Sequence, residues 1–202
     1  MSPLPGKIVM ASSNPGKLRE LSRLLDGLGV VIVPQSDYGV EDAEENGTTF
    51  RENSYIKARH AAAATGLPAI ADDSGLVVDA LEGRPGVYSA RYAGPGATDR
   101  DNVARLLAEM ASVPDDARGA AFHCVATFVV PGDEKPLVAE GVWRGSILRA
   151  PRGEGGFGYD PVFLDPDSGK TGAELDRDAK NARSHRGQAL RHLVERLQQR
   201  YP

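Results

Sequence analysis

The sequence predicts an α/β protein built on a mixed β-sheet, and three observations carry that expectation. The first 35 residues read strand, loop, helix, strand, which is the building unit of open α/β sheets. Two long alternating segments, "GAAFHCVATFVV" and "PLVAEGVWRGSIL", flank a "PGDEKP" turn and predict an antiparallel hairpin. Helical periodicities fall between these strand segments, and that order favours a mixed sheet over a purely parallel one.

The elements follow in order. "KIVMAS" (Lys7 to Ser12) is an apolar run ending in small polar residues and predicts a buried strand. In "SNPGKLRELSRLLDGLG", Leu18, Leu21, Leu24, Leu25 and Leu28 recur at helical spacing, with Gly27 and Gly29 as stops. "VVIVPQ" is the second strand. "TTFRENSYIKARHAAAATG" predicts a helix capped by Thr48 or Thr49, with Glu52 in its first turn. "LPAIADDSGLVVDAL" reads as a strand, a tight turn at Ser74-Gly75 and a second short strand. A third helix, "TDRDNVARLLAEM", starts at Thr98 or Asp99. After the hairpin comes an irregular glycine-rich stretch, Pro151 to Phe163, and "RSHRGQALRHLVERLQQR" closes as an amphipathic helix.

A chain of 202 residues with 41% apolar and 26% charged residues has the make-up of a soluble globular protein and enough length for a large core. It shows no internal repeat or linker and reads as one domain spanning residues 1–202. A net charge of −4 argues against sequence-independent duplex binding, so nucleic acid is not an expected partner. Cys124 is the sole cysteine, which excludes an internal disulfide; its apolar setting predicts a buried, unreactive thiol. No apolar run reaches the length of a membrane span, so a cytoplasmic location is expected and a membrane partner is not.

Four segments carry residues suited to chemistry. "SSNPGK" (Ser12, Ser13, Asn14, Pro15, Gly16, Lys17) lies between a strand and a helix, where backbone N–H groups and Lys17 can receive an anion. It lacks Walker A spacing, and an ordinary capped turn is the alternative. Glu41, Asp42, Glu44 and Glu45 form an acidic run that a solvated face would also explain. Asp72 and Asp73 are different, because they sit in an apolar context where uncompensated carboxylates cost several kcal/mol. A divalent cation would relieve that cost, and Mg2+ shared with substrate phosphates suits so few carboxylates. Alternatively, one of the two caps the Ser74-Gly75 turn. In "GGFGYDP", Phe157 and Tyr159 offer rings for stacking on a planar base, Gly158 allows close approach, and Asp160 can accept hydrogen bonds. Lys180, His185 and Arg186 cluster near the start of the last helix, where they suit a phosphate or a purine carbonyl.

In combination these segments resemble the family of inosine/xanthosine triphosphate pyrophosphatases, its bacterial branch in particular. The likeness runs through "SSNPGK", "EENGTTFRENSYIKA", "AIADDSGLVVDAL", "GRPGVYSARY", "GGFGYDPVF" and "KNARSHRGQAL", in that order along essentially the whole chain. The resemblance implies an elongated two-lobed fold around a central mixed sheet flanked by helices, with the active-site cleft between the lobes. It implies a homodimer and Mg2+-dependent hydrolysis of dITP, ITP or XTP to the monophosphate and pyrophosphate. It assigns Ser12 to Lys17 and Lys57 to the phosphates, and Glu45 and Asp73 to the metal. Asp73 also becomes the acceptor of water's proton. Ser74 contacts substrate, Phe157 to Asp160 hold base and sugar, and Lys180, His185 and Arg186 read the base. Glu44 competes with Glu45 as the metal ligand. Two positions depart from the family pattern: Ser13 where Gly is frequent, and Ser54 where Ala is usual. Two rival readings remain, a pyrophosphatase for dUTP, dTTP or methylated pyrimidine nucleotides and a nucleotide-binding regulator without catalysis.

Overall fold

The structure, a computed structural model, describes residues 4–201 apart from Ser13 and Gly27, and of Pro15 only the backbone. The Gly27 stop therefore lies outside the described residues, as does Ser13 of the phosphate loop. Six strands form one sheet in the order β2-β1-β3-β4-β5-β6. They are β1 (Lys7–Met10), β2 (Val31–Pro34), β3 (Ala69–Val78), β4 (Gly119–Val129), β5 (Leu137–Ile147) and β6 (Phe163–Leu164). β1 pairs in parallel with β2 and β3, whereas β5 and β6 are antiparallel, so the sheet is mixed as expected. The helices are α1 (Pro15–Leu24), α2 (Phe50–Thr65), α3 (Asp99–Glu109), α4 (Arg177–Arg183) and α5 (His185–Arg200).

Helix starts obey local chemistry. Asn14 caps α1, and Thr49 caps α2 in a reciprocal box with Glu52. Thr98 does the same for α3 with Asp101. The expected C-terminal helix is split: α4 ends at Arg183, Ser184 is extended (φ −61°, ψ 149°), and α5 begins at His185.

One expectation is overturned. There is no turn at Ser74-Gly75; β3 runs unbroken from Ala69 to Val78. The sheet places strands on both sides of it, and ladder hydrogen bonds outweigh the local turn preference of Ser-Gly. Neither aspartate caps a turn there.

The chain divides into two compact units. The first holds the residues up to Asp73, Cys124–Gly141, and those from Arg186 on. Its strands bury one face under α1 and α5, where Ile8, Met10 and Ile70 meet Leu21, Leu193 and Leu197. The other face lies under α2, where Val9, Ala69 and Ala71 meet Ala58, Ala61 and Ala62. Each fully buried leucine contributes roughly 2 kcal/mol, and the alanine face lets α2 approach the strands closely. The second unit holds Ser74–His123 and Val142–His185. Its core is aromatic, with Phe122 and Trp143 set 4.6 and 4.9 Å from the Phe163 ring centroid. Arg118 is buried there, and its guanidinium donates to the carbonyls of Ile147 (2.7 Å), Met110 (2.8 Å) and Leu148 (3.1 Å).

Candidate active site

Successive residues of a strand point to opposite faces, and this separates the two adjacent aspartates. Ile70 lies on the face covered by α1 and α5, so Asp72 does too; Ala69 and Ala71 lie under α2, and so does Asp73. The pair shares a sequence position but not an environment.

Asp72 is buried, and Lys17 from the first turns of α1 approaches its two oxygens at 2.9 and 3.0 Å. Arg186, at the start of α5, donates Nε to Oδ2 at 3.1 Å. Burial opposes the charged carboxyl, but the two cations prevail and hold its pKa well below the usual carboxylate range. Cys124 packs on this face with Sγ 4.0 Å from Asp72 Oδ2, and burial pushes its thiol pKa up, which fits the inert thiol expected.

Asp73 faces Lys57, whose ammonium lies 2.9 Å from Oδ1 and 3.0 Å from Glu45 Oε1. Its other oxygen, Oδ2, is buried without a hydrogen-bond partner. Burial raises the Asp73 pKa, Lys57 opposes that shift, and the Glu45 charge adds to it. Lys57 is itself penalised by burial, yet the carboxylates around it, Asp73 foremost, raise its pKa and keep it charged. Glu45 lines a cavity of about 280 Å3 with Ser12, Asn14, Lys17, Lys57 and Asp72, whereas Glu44 is exposed.

At the phosphate loop, Asn14 Oδ1 accepts from the N–H groups of Gly16 (2.8 Å) and Lys17 (3.3 Å), and Asn14 N–H donates to Ser12 Oγ (3.1 Å). The cap thus takes two of the backbone donors that the sequence assigned to an anion. Lys17, the loop's cationic side chain, lines the cavity.

The second unit carries the other candidates. Asp160 is a buried hub that accepts from Phe157 N–H (2.8 Å) and pairs with Lys180. Lys180 Nζ also sits 4.6 Å from the Phe157 ring centroid, and Phe157 is 61% exposed. Gly158 N–H donates to Asp99 Oδ2 (2.6 Å) at the start of α3. Gly172 has no room for a side chain, since a Cβ there would meet Asp160 Oδ1 at 2.8 Å. Tyr159 does not offer the stacking face expected of it. Its ring is buried in the aromatic core and its hydroxyl donates to Ser89 O (2.8 Å), so it anchors the loop. His185 is buried and stacks on Phe122, with centroids 4.9 Å apart and planes 12° from parallel. Ser74 is half-buried on β3.

The candidates therefore fall into two sets by unit. Ser12, Asn14, Gly16, Lys17, Glu45, Lys57, Asp72, Asp73 and Arg186 belong to the first. Ser74, Phe157 to Asp160, Lys180 and His185 belong to the second. The sequence missed Asn53 and Gln35. Asn53 is fully buried one helical turn before Lys57, a spacing that could have revealed it. Gln35 is buried and donates Nε2 to Asp42 Oδ1 at 2.6 Å, which ties down the acidic segment.

Comparison with known proteins finds relatives along nearly the whole chain. Residues 8–196 match the profile described as the Ham1 family. A "dITP/XTP pyrophosphatase" of Shigella flexneri is 58% identical over 192 residues, covering 95% of this chain and 98% of that protein. One from Escherichia coli K12 is 57% identical over the same coverage. The solved structure of a HAM1 protein from Coxiella burnetii superposes with a TM-score of 0.92 at 50% identity, covering 96% of this chain and 98% of that one.

Proposed function

The chain belongs to the Ham1 family, and on that premise we propose that it hydrolyses dITP, ITP, XTP and dXTP to the monophosphate and pyrophosphate. Such a reaction clears non-standard purine nucleotides from the pool and keeps them out of DNA and RNA. The observation that carries the reading is Lys57 held between Glu45 and Asp73 at 3.0 and 2.9 Å, on the wall of a cavity that Lys17 also lines.

The donor set fits Mg2+. A cationic ammonium already satisfies the Glu45–Asp73 pair, and Asp73 keeps one buried oxygen without a hydrogen bond. Among the described residues no group of three or more His, Cys, Asp and Glu is placed to hold a metal ion. Two carboxylates suit an ion shared with substrate phosphates, not a cage made by protein alone. Glu45 and Asp73 would hold the ion, which when bound neutralises phosphate oxygens and orients the triphosphate.

The chain's own residues do the rest. Lys17 and Lys57 offset the charge of the phosphates, and Asp72 fixes Lys17 in place. Asp73 accepts the proton of the attacking water as its oxygen bonds to the α-phosphorus; the bond from that phosphorus to the bridging oxygen breaks and pyrophosphate leaves. A raised Asp73 pKa makes it a stronger base than an exposed aspartate. The base stacks on Phe157, and Asp160, Lys180 and His185 set the donor and acceptor pattern that favours a 6-oxo purine. Arg186 commits Nε to Asp72, so any contact it makes to the base uses its other nitrogens. Buried polar groups left unpaired by a 6-amino purine supply the discrimination, several kcal/mol at most.

The resemblance extends to a cytoplasmic homodimer, which sedimentation tests: a monomer at working concentration contradicts it. Among the described residues no helix is long and apolar enough to cross a membrane. Asp73→Asn tests the mechanism. It should lower kcat for dITP by about 10²- to 10⁴-fold while nucleotide affinity stays within a few-fold. A kcat near that of the unaltered protein removes Asp73 from catalysis.

A further inference from the structure

Asn53 lies on α2 four residues before Lys57, about one turn, and both side chains leave the same face of the helix. Its side chain is fully buried. Oδ1 accepts the Gly47 N–H at 2.8 Å, and Gly47 is two residues beyond Glu45. At its other end, Nδ2 is buried without completing a hydrogen bond, and so is Asp73 Oδ2. The Asn53 amide opposes the burial that raises the Asp73 pKa. Lys57, on the same helix face, holds the other oxygen of that carboxylate, Oδ1. Burying an amide nitrogen short of a full hydrogen bond is costly, and a chain bears that cost where the group has another duty.

We propose that Asn53 is a positioning residue that sets the spacing of Glu45 and Asp73 by gripping the Glu45 loop through Gly47 and facing Asp73 with its amide. The proposal rests on the reading of Glu45 and Asp73 as the metal-binding pair. Gly47 belongs to the same device. A Cβ there would meet Asn53 Oδ1 at 2.6 Å and Glu52 Cβ at 2.7 Å, so the loop can approach the helix only without a side chain. Loss of the amide leaves both carboxylates in place but frees their separation, which weakens cation binding and slows turnover more than it weakens nucleotide binding.

Mn2+ binding, followed by the electron paramagnetic resonance of the free ion without nucleotide, reads this directly. Asn53→Ala and Gly47→Ala should each weaken Mn2+ binding and lower kcat by about 10- to 100-fold, with KM for dITP changed much less. Gly47→Ala keeps the amide, so it decides the matter if Asn53→Ala fails to fold. Glu45→Gln is the control. If it weakens Mn2+ binding while folded Asn53→Ala and Gly47→Ala bind Mn2+ as the unaltered protein does, Asn53 does not position the pair. If Glu45→Gln leaves Mn2+ binding unchanged, the pair is not the metal site, and that reading falls together with the proposal.

Discussion

At Asp72, burial works against the charged carboxyl, and Lys17 and Arg186 reverse that preference. The folded-state pKa therefore lies below the 3.8 of a free aspartate, so the stability this residue adds is present above that value and lost as pH falls toward the folded one. Asp72→Asn should destabilise the protein by about 3–5 kcal/mol at neutral pH, because it leaves two cations without their counter-ion. Urea unfolding should show that gap constant above about pH 5 and shrinking below about pH 4. A gap independent of pH down to acid would mean that the ion pairs contribute nothing. The acids themselves were legible from their apolar context, and so was the need for a counter-charge. Their partners were not, because Lys17 and Arg186 lie 55 and 114 residues from Asp72 and nothing local announces them. The reading of one of the two aspartates as a turn cap failed because β3 continues through Ser74-Gly75, paired with strands distant in sequence.

Among the elements, helices were the most legible. Thr49 and Thr98 announce α2 and α3 through capping boxes, and the leucine spacing of α1 gives its buried face. β3 was misread because Ser-Gly has local turn chemistry, whereas the strand is set by neighbours distant in sequence. Ser54, one of the two departures from the resemblance, has an explanation at this scale. Its Oγ donates to Arg51 O (3.0 Å) and shares a 2.7 Å hydrogen bond with Thr127 Oγ1 on β4, both side chains fully buried. The extra hydroxyl has a partner that joins α2, bearer of Asn53 and Lys57, to the sheet. A double-mutant cycle of Ser54→Ala and Thr127→Val should give a coupling of about 1 kcal/mol in unfolding free energy. Ser54→Ala should cost more alone than when Thr127 is already Val, since it strands the buried Thr127 hydroxyl, whereas Ser54 in Thr127→Val keeps its bond to Arg51 O. Strict additivity would show the pair to be an accident of packing.

Over the whole chain, the mixed character of the sheet and the family were within reach of sequence, the family because six motifs occur in one order along a single chain. The aromatic loop was half legible: Phe157 is exposed as expected, while Tyr159 turns inward because its hydroxyl finds the Ser89 carbonyl inside the second unit. β3 joins the two sets of candidate residues covalently, since the chain passes from the first unit to the second between Asp73 and Ser74. The chain passes between the units again from His185 to Arg186. In one strand, then, the proposed base of the reaction is followed directly by a proposed substrate contact. The central claim, that these groups serve hydrolysis of 6-oxo purine triphosphates, meets its most direct test in pyrophosphate release. The assay compares dITP, ITP, XTP, ATP, GTP, dUTP and dTTP with Mg2+, Mn2+ and EDTA. Release should be rapid from dITP, ITP and XTP with Mg2+, lower from ATP by about 100-fold or more, and absent with EDTA. Preferential cleavage of dUTP or dTTP, or binding of dITP with Mg2+ and no pyrophosphate, would contradict it.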